Sequence, residues 1–472
     1  MSLEDKLYPL LRLYEASPQW LRSSAGRCYR ALPLGWRYGK VYLDFTRQCR
    51  EVEHWSVQQI QDYQWQALSA SLAAAWKAPF YTKRFAEAGV TLDSIKEPGD
   101  LRRLPLLDKK DVIQHREEMV AGDATSSQKL YITTGGSSGV PVGFYLQRGV
   151  SRPKEQAFLE AMWARAGYSP GAKTAVVRGQ VTSKRSSGSI FFYDATRNWL
   201  ILSSYHLTPE RVPEYAAALN HFRPEFLHMY PSSALLLAQG LQQQGIKLNF
   251  NPKAMLCGSE KLALPDKHWL ESFFHTRVYR WYGHSERLAL AGEGRTSHNF
   301  HFWPNYGWTE FGEPDEAGRR EVIATGFHNH VMPFIRYRTG DLVHLAADSD
   351  REFPWPTASE VCGRDYEFLV SSSGRRVSLT AINMHDSIFD NLYAVQFAQH
   401  ERGVVEFRYE ATPGFRPERE QFIRQGLSAK LGEDIRFILQ KVDQVEKTAA
   451  GKHRWLISSL SEAKLTTKGD EQ

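Results

Sequence analysis

The run Leu130-Tyr131-Ile132-Thr133-Thr134-Gly135-Gly136-Ser137-Ser138-Gly139-Val140-Pro141 sets a loop rich in glycine and hydroxyls directly behind an apolar stretch. Glycines let a backbone fold around a phosphate with its N–H groups inward, and the hydroxyls of Thr134, Ser137 and Ser138 can donate to phosphate oxygens. By composition this is a phosphate loop. It is not a Walker A loop, because the Gly-Lys-Ser/Thr ending is absent and Val140 stands where the lysine belongs. On its own such a loop is more often a plain linker.

Further segments with chemistry follow in order along the chain. Trp281-Tyr282-Gly283-His284-Ser285-Glu286 offers an aromatic face for a base, a glycine for close approach, and a carboxylate able to hold Mg²⁺ against phosphate oxygens. Tyr337-Arg338-Thr339-Gly340-Asp341 puts an aspartate on a tight turn, where it can accept from two ribose hydroxyls. Gly363-Arg364 and Ala450-Gly451-Lys452 complete the series. Taken singly, each is explained by a turn, a capped helix or a solvated charge. Their joint occurrence in one order is not.

The elements that position these segments are legible in outline. Trp65, Leu68, Leu72 and Trp76 recur at helical spacing until Pro79 stops the pattern. Short β-rich runs such as Ala175-Val176-Val177 and Arg277-Val278-Tyr279 alternate with helical stretches such as Ser232 to Gln243, which predicts an α/β domain with largely buried strands. After Asp341 the texture changes. A polar stretch from Asp348 to Pro356 leads to Gly363-Arg364, and beyond it Val405, Phe407 and Tyr409 alternate as a strand, Pro417 to Leu431 reads as a helix and Ile435 to Leu439 as a second strand. These patterns predict a large N-terminal domain over 1–363, with a helical extension over 1–64, and a small α+β domain over 364–472.

Composition limits the function classes. A chain of 472 residues, 42% hydrophobic and 24% charged, is ordinary globular material of two or three domains. A net charge of +6 and a pI near 8.9 make a mildly basic surface suited to anionic small molecules, and no clustered basic run points to nucleic acid. Cys28, Cys49, Cys257 and Cys362 lie far apart without CxxC pairing, so neither a zinc site nor a disulfide framework is signalled, and a cytoplasmic setting is expected. No secretory leader or membrane-spanning run is expected. The segment from Leu7 to Lys40 mixes Leu, Trp and Tyr with Arg12, Arg22, Arg27, Arg30 and Arg37, which suits either a helical cover or weak contact with a membrane surface. His298, His301, His328 and His330 match no HExxH or paired Cys/His spacing. Neither Gly-x-Ser-x-Gly on a strand-to-helix turn nor a Rossmann glycine fingerprint is present.

The ordered motifs, together with Pro79-Phe80-Tyr81, Leu104-Pro105-Leu106-Leu107-Asp108-Lys109, Tyr230-Pro231-Ser232-Ser233 and Met332-Pro333-Phe334-Ile335-Arg336-Tyr337, resemble the adenylate-forming superfamily of acyl-CoA synthetases and adenylation domains. The likeness is greatest to its phenylacetate-CoA ligase-like branch, which is associated with capsule polysaccharide biosynthesis. The resemblance implies a ligase that uses ATP and Mg²⁺ to convert a carboxylic acid to its acyl-AMP and then transfers the acyl group, in the first instance to CoA. It implies that Thr134, Gly135, Gly136, Ser137, Ser138 and Gly139 hold the phosphates, and that Gly258, Ser259 and Glu260 border the adenine with Tyr282. It further implies that Glu286 carries Mg²⁺, that Asp341 and Arg364 bind the ribose, and that Lys452 is the catalytic lysine. The small domain would be mobile, rotating about a hinge at Arg364 to Glu367. Three positions depart from the family pattern: Gly135 replaces a hydroxyl residue, Ser285 a threonine, and Tyr366 the usual hinge Asp or Lys.

Activating a carboxylate brings two anions together at the α-phosphate, so positive charge must be supplied where negative charge develops. Lys452 on a glycine-flanked loop can do this, with Glu286 holding Mg²⁺ at the pyrophosphate side. The acid pocket is expected to draw on the segment 229–233, in particular Tyr230, Ser232 and Ser233, and on Trp281, whose aromatic and hydroxyl content suits an aryl or a hydroxy acid. Two alternatives remain: an amide-forming ligase that delivers the acyl group to an amine, and a catalytically silent nucleotide-binding assembly protein.

Overall fold

The computed structural model describes residues 14, 17–133, 142–179, 190–362, 367–379, 382, 387–389, 391–446 and 455–460. The strand pair β1 (Lys129–Thr133) and β2 (Gly143–Gln147) is antiparallel, with Thr133 opposite Gly143. The phosphate-loop residues 134–141 connect these two strands and lie outside the described residues.

A twelve-stranded sheet dominates the chain. Its first half is β3 (Thr174–Arg178), β4 (Phe191–Asp194), β5 (Trp199–Ser203), β6 (Phe226–Met229), β7 (Ala254–Gly258) and β8 (Arg277–Gly283). Its second half is β9 (Leu290–Glu293), β10 (Phe300–Phe302), β11 (Gly307–Phe311), β12 (Arg320–Gly326), β13 (Tyr337–Leu345) and β14 (Thr357–Cys362). The spatial order is β11-β12-β13-β14-β10-β9-β8-β7-β6-β3-β5-β4. Strands β5, β3, β6, β7 and β8 run parallel to their neighbours in this series, and all pairings from β8 to β11 are antiparallel. The parallel strands β6 and β7 are buried along their whole length, as expected where helices cover both faces of a sheet.

Those helices include Val212–Phe222, Pro231–Gln243 and Leu264–Phe274, and their apolar stripes join β3, β6 and β7 in one core containing Val177, Leu227, Met229, Leu235 and Cys257. The apolar spacing around Trp65 belongs to the helix Val57–Ala75, whose N-terminus is closed by a reciprocal Ser56–Gln59 capping box. Pro79 stands in the first turn of the next helix, Pro79–Glu87, where its missing N–H breaks no hydrogen bond. In the N-terminal region, helix Gln19–Ala31 precedes Leu34–Glu51, and Tyr42 Oη of the second donates to Glu160 at 2.5 Å.

Beyond Glu367 the strands form separate sheets: a pair, β15 (Phe368–Val370) with β16 (Arg376–Ser378), and a four-stranded sheet. The latter comprises β17 (Leu392–Glu401), β18 (Val404–Ala411), β19 (Arg436–Lys441) and β20 (Leu456–Ser458) in the order β19-β18-β17-β20. Helix Glu418–Leu431 connects β18 to its parallel neighbour β19 and buries Ile423, Leu427 and Leu431 in a core with Phe397 and Phe407. Tyr205 belongs to the same core and Tyr230 packs on it, while Arg375 donates to Tyr205 O at 2.6 Å. The C-terminal sheets are thus seated against the segments that follow β5 and β6.

Candidate active site

Strand β8 ends at Gly283, and a turn closed by Arg287 N–H donating to His284 O at 3.0 Å returns the chain into β9. Arg287 has φ of 58°, and the preceding Glu286 is buried, with only 7% of its surface exposed. Glu286 Oε1 accepts from Tyr337 Oη at 3.0 Å, and Oε2 lies 3.1 Å from His284 Nδ1. Ala289 N–H donates to His284 Nε2 at 3.1 Å, so the neutral ring carries its proton on Nδ1, facing Glu286. Burial pushes the Glu286 carboxyl up, but the hydrogen bond from His284 and the Lys109 ammonium outweigh it and hold the group down at about 2. It is a carboxylate at any physiological pH.

Asp341 lies across from it. The sequence suggests a tight turn here. The structure instead has a bulge within the nine-residue strand β13: the five residues Arg338 to Leu342 lie opposite the three residues Glu321 to Ile323, and Gly340 takes φ of 76°. Thr339 Oγ1 accepts from the Asp341 N–H at 3.1 Å, and Glu321 Oε1 accepts from the Gly340 N–H at 3.2 Å. Tyr282 Oη donates to Asp341 Oδ2 at 2.8 Å. Burial pushes the Asp341 carboxyl above the usual carboxylate range against the pull of His284, Tyr282 and Lys109.

Alternation along β8 sends Trp281 and Tyr282 to opposite faces, so the two aromatics do not form one surface. Tyr282 belongs to the core under β13, whereas the Trp281 indole lies flat on Gly258, where a Cβ would sit 2.1 Å from Cε2. Ser259 follows with φ of 72°, and its hydroxyl accepts from Arg178 Nη2 at 2.7 Å. Glu260 closes the N-terminus of helix Pro231–Gln243, accepting from Ser232 N–H at 2.8 Å and Ser232 Oγ at 3.0 Å, and it also accepts from Ser378 Oγ at 2.8 Å. Ser232 and Ser233 are buried under this contact, while Tyr230 is half-buried.

The structure therefore brings together Tyr282, Gly283, His284, Ser285, Glu286 and Asp341, and places Gly258, Ser259, Glu260, Trp281, Tyr230 and Ser232 in an adjoining group. Thr134 to Gly139, Arg364, Tyr366 and Lys452 lie outside the described residues. Sequence reasoning assigned no role to Tyr337, although it heads a motif already singled out, nor to Lys109, nor to Arg178. The signal for Arg178 was present: a charged residue ends the apolar run of β3 at the carboxyl edge of a parallel sheet, where such folds bind ligands.

Glu286 fits Mg²⁺. It is anionic, and each carboxylate oxygen that accepts one protein hydrogen bond retains a lone pair for a hard cation. His301 Nδ1 lies 3.1 Å from Thr357 Oγ1 and His328 Nε2 lies 2.9 Å from Asn305 O. Among the described residues one other group, His344, Glu360 and Cys362, has ligand atoms within 4.8 Å of one another, with Glu360 paired to Lys261 at 2.9 Å.

No protein-family model matches the chain. It is 23% identical over 371 residues to Protein CapK of Staphylococcus aureus, spanning 77% of this chain and 81% of that protein. It is 25% identical over 333 residues to the phenylacetate-coenzyme A ligase of Escherichia coli K12, spanning 68% and 74%. A solved 2-hydroxyisobutyryl-CoA ligase, in complex with 2-HIB-AMP and CoA in its thioesterification state, shares the fold with a TM-score of 0.54 at 17% identity, covering 87% of this chain and 91% of that one.

Proposed function

We propose that the chain is a member of the adenylate-forming superfamily, in its phenylacetate-CoA ligase-like branch, which activates a carboxylic acid as acyl-AMP, releasing pyrophosphate, and passes the acyl group to CoA. The observation that carries this reading is the crossed pair Tyr337–Glu286 and Tyr282–Asp341: two carboxylates in one site, one held ionised and low, the other raised by burial.

In this reading Glu286 holds Mg²⁺, which supplies positive charge to the departing pyrophosphate. Asp341 and Arg364 bind and orient the ribose, the loop Thr134 to Gly139 cradles the phosphates, and Gly258, Ser259 and Glu260 border the adenine. Lys452 neutralises the charge that develops as the substrate carboxylate attacks the α-phosphate. The residues up to 363 form the large domain, and 364–472 form a small domain that carries this lysine to the cleft. Four free thiols, two of them buried, support a cytoplasmic setting. No helix among the described residues is long and apolar enough to cross a membrane. Exposed Trp20, Leu21, Trp36 and Leu43 on the N-terminal helices support at most a peripheral contact with a membrane surface.

The test is carboxylate-dependent exchange of pyrophosphate into ATP over a panel of aryl, fatty, hydroxy and amino acids, followed by AMP release on adding CoA or an amine. At least one acid should support exchange, with CoA triggering AMP release. Release by the amine alone would establish the amide-forming alternative, and ATP binding without exchange for any acid would leave only a nucleotide-binding protein.

A further inference from the structure

The acid side of the site contains a cation that adenylation itself does not call for. Arg178 is the last residue of β3, directly after the buried run Thr174 to Val177. Its Nη1 donates to His228 Nε2 at 2.8 Å and its Nη2 to Ser259 Oγ at 2.7 Å. Its guanidinium lies 4.4 Å from the centre of the Tyr230 ring and 5.9 Å from that of Trp281.

Both hydrogen-bond partners are neutral. His228 is enclosed by Trp163 and Trp199, and burial together with the Arg178 charge holds its pKa well below the usual histidine range, so Nε2 is free to accept. The nearby carboxylate, Glu260, is bound to Ser232 and Ser378 instead. No carboxylate pairs with Arg178 among the described residues. A guanidinium has about five N–H donors, and two of them meet His228 and Ser259. The stack on Tyr230 and these two bonds fix the side chain, which leaves a preorganised positive charge with no carboxylate partner among the described residues at the carboxyl edge of the parallel strands.

A cation held this way matches an anion, and its neighbours Tyr230 and Trp281 are those assigned to the acid. We propose, resting on the adenylation reading above, that Arg178 binds a second anionic group of the substrate, a carboxylate or a phosphate at the end remote from the carboxylate that is activated. The substrate class is then a doubly anionic acid, not a plain aryl or fatty acid. A planar fork facing carboxylate or phosphate oxygens gives charge-assisted hydrogen bonds that a neutral tail cannot replace.

The experiment is acid-dependent pyrophosphate exchange with matched pairs: glutarate beside valerate, isophthalate beside benzoate, and 3-phosphoglycerate beside glycerate. In the wild-type enzyme the doubly anionic member of at least one pair should have the higher kcat/KM by about tenfold or more, the size of a charge-assisted hydrogen bond. Which pair responds distinguishes carboxylate from phosphate. Arg178→Met should collapse that ratio towards unity, and Arg178→Lys, which keeps the charge but not the fork, should retain part of it. Thermal melts establish that each variant is folded, and if Arg178→Met is not, a selective loss in Arg178→Lys carries the test. A preference for the singly anionic member in every pair overturns the proposal. So does an unchanged ratio in the variants with the defect appearing in KM for ATP, which would assign Arg178 to the nucleotide. If glycerate or valerate drives exchange but no doubly anionic acid does, only the substrate assignment fails. If no acid does while ATP still binds, the adenylation reading fails and this one with it.

Discussion

Replacing Glu286 by glutamine removes one charge while keeping the shape of the side chain, and the surrounding donors predict the effect. The carboxylate accepts from Tyr337 Oη at 3.0 Å and faces His284 Nδ1 at 3.1 Å. A glutamine has only one oxygen. If that oxygen faces Tyr337, the new NH₂ opposes the Nδ1–H of His284, and the ring cannot change tautomer without abandoning the Ala289 N–H on Nε2. If the amide is reversed, the Tyr337 hydroxyl can rotate to accept from it, so this is the arrangement expected. The variant then exchanges two hydrogen bonds to a charged acceptor, about 1.5–3 kcal/mol each, for two neutral ones of about 1 kcal/mol. A loss of about 1–4 kcal/mol out of a usual total of about 5–15 kcal/mol leaves the protein folded. Function should suffer more, because the amide carries no net charge for Mg²⁺. The Mg²⁺ concentration giving half-maximal pyrophosphate exchange should rise by about tenfold or more at fixed ATP. Tyr337→Phe is the comparison: it should cost a similar stability through the lost donor while Glu286 keeps its charge and its hold on Mg²⁺. A Glu286→Gln enzyme whose Mg²⁺ titration overlays that of the wild type would refute the assignment, whatever its melting temperature.

Asp341→Ala should weaken ATP binding by about tenfold or more, since a carboxylate accepting from hydroxyls contributes about 1.5–3 kcal/mol; calorimetry at wild-type affinity would remove the ribose role. Lys452→Ala should slow acyl-AMP formation by about 10²–10³-fold with a much smaller change in ATP affinity, while transfer from supplied acyl-AMP survives. Equal losses in the two half-reactions would mean that this lysine is structural. Lys154 tests burial instead of catalysis: the ammonium is enclosed, donating to Tyr306 O at 3.1 Å and Arg287 O at 3.3 Å, and burial lowers its pKa to about 7. The unfolded chain keeps that proton to about 10.4, so between these values it binds more protons than the folded state and stability rises with pH. Lys154→Met should flatten the wild-type increase between pH 7 and 10, at most about 5 kcal/mol, in urea unfolding. Parallel pH profiles of the two proteins would show that burial does not lower the pKa of this lysine.

What the sequence made legible was local. The alternation of Val405, Phe407 and Tyr409 is strand β18, and Pro417 to Leu431 contains the helix Glu418–Leu431, because both periods are set by neighbours in the chain. The parallel strands β3 and β8 could be read for the same reason. The second half of the large sheet could not: β10 has three residues, and its partner β14 comes more than fifty positions later. Buried charge was also invisible. Arg280, Lys267 and Arg277 surround Glu293, whose side chain is fully buried, yet a lysine or arginine in a sequence ordinarily marks solvent. Within the site, the motif order pointed to Glu286 and Asp341 but not to the tyrosines that hold them, because Tyr337 and Glu286 are fifty-one positions apart in the chain. The role of Glu260 as a helix cap was hidden likewise, since the helix it closes begins at Pro231, well before it.

The two carboxylates are tied by a reciprocal arrangement. Tyr282 of β8 donates to Asp341 of β13, and Tyr337 of β13 donates to Glu286 in the turn after β8. These strands are not neighbours: β9, β10 and β14 lie between them in the sheet. On a flat sheet, four interstrand steps of about 4.8 Å would hold them about 19 Å apart, farther than a tyrosine and a carboxylate side chain reach. The sheet must therefore curl so that β8 faces β13 across its antiparallel half. The irregularities needed for curling flank β13, in its pairing with β12 at Glu321/Ile323 and in its pairing with β14 at His344/Leu345. The first of these bulges is also the one that carries Asp341. The same backbone irregularity thus bends the sheet and presents the carboxylate, so the separation of Glu286 from Asp341 is set by the curvature of the sheet and not by two independent loops. With Mg²⁺ on Glu286 and the ribose on Asp341, as proposed, changes that alter this curvature, even far from either residue, must move both positions together.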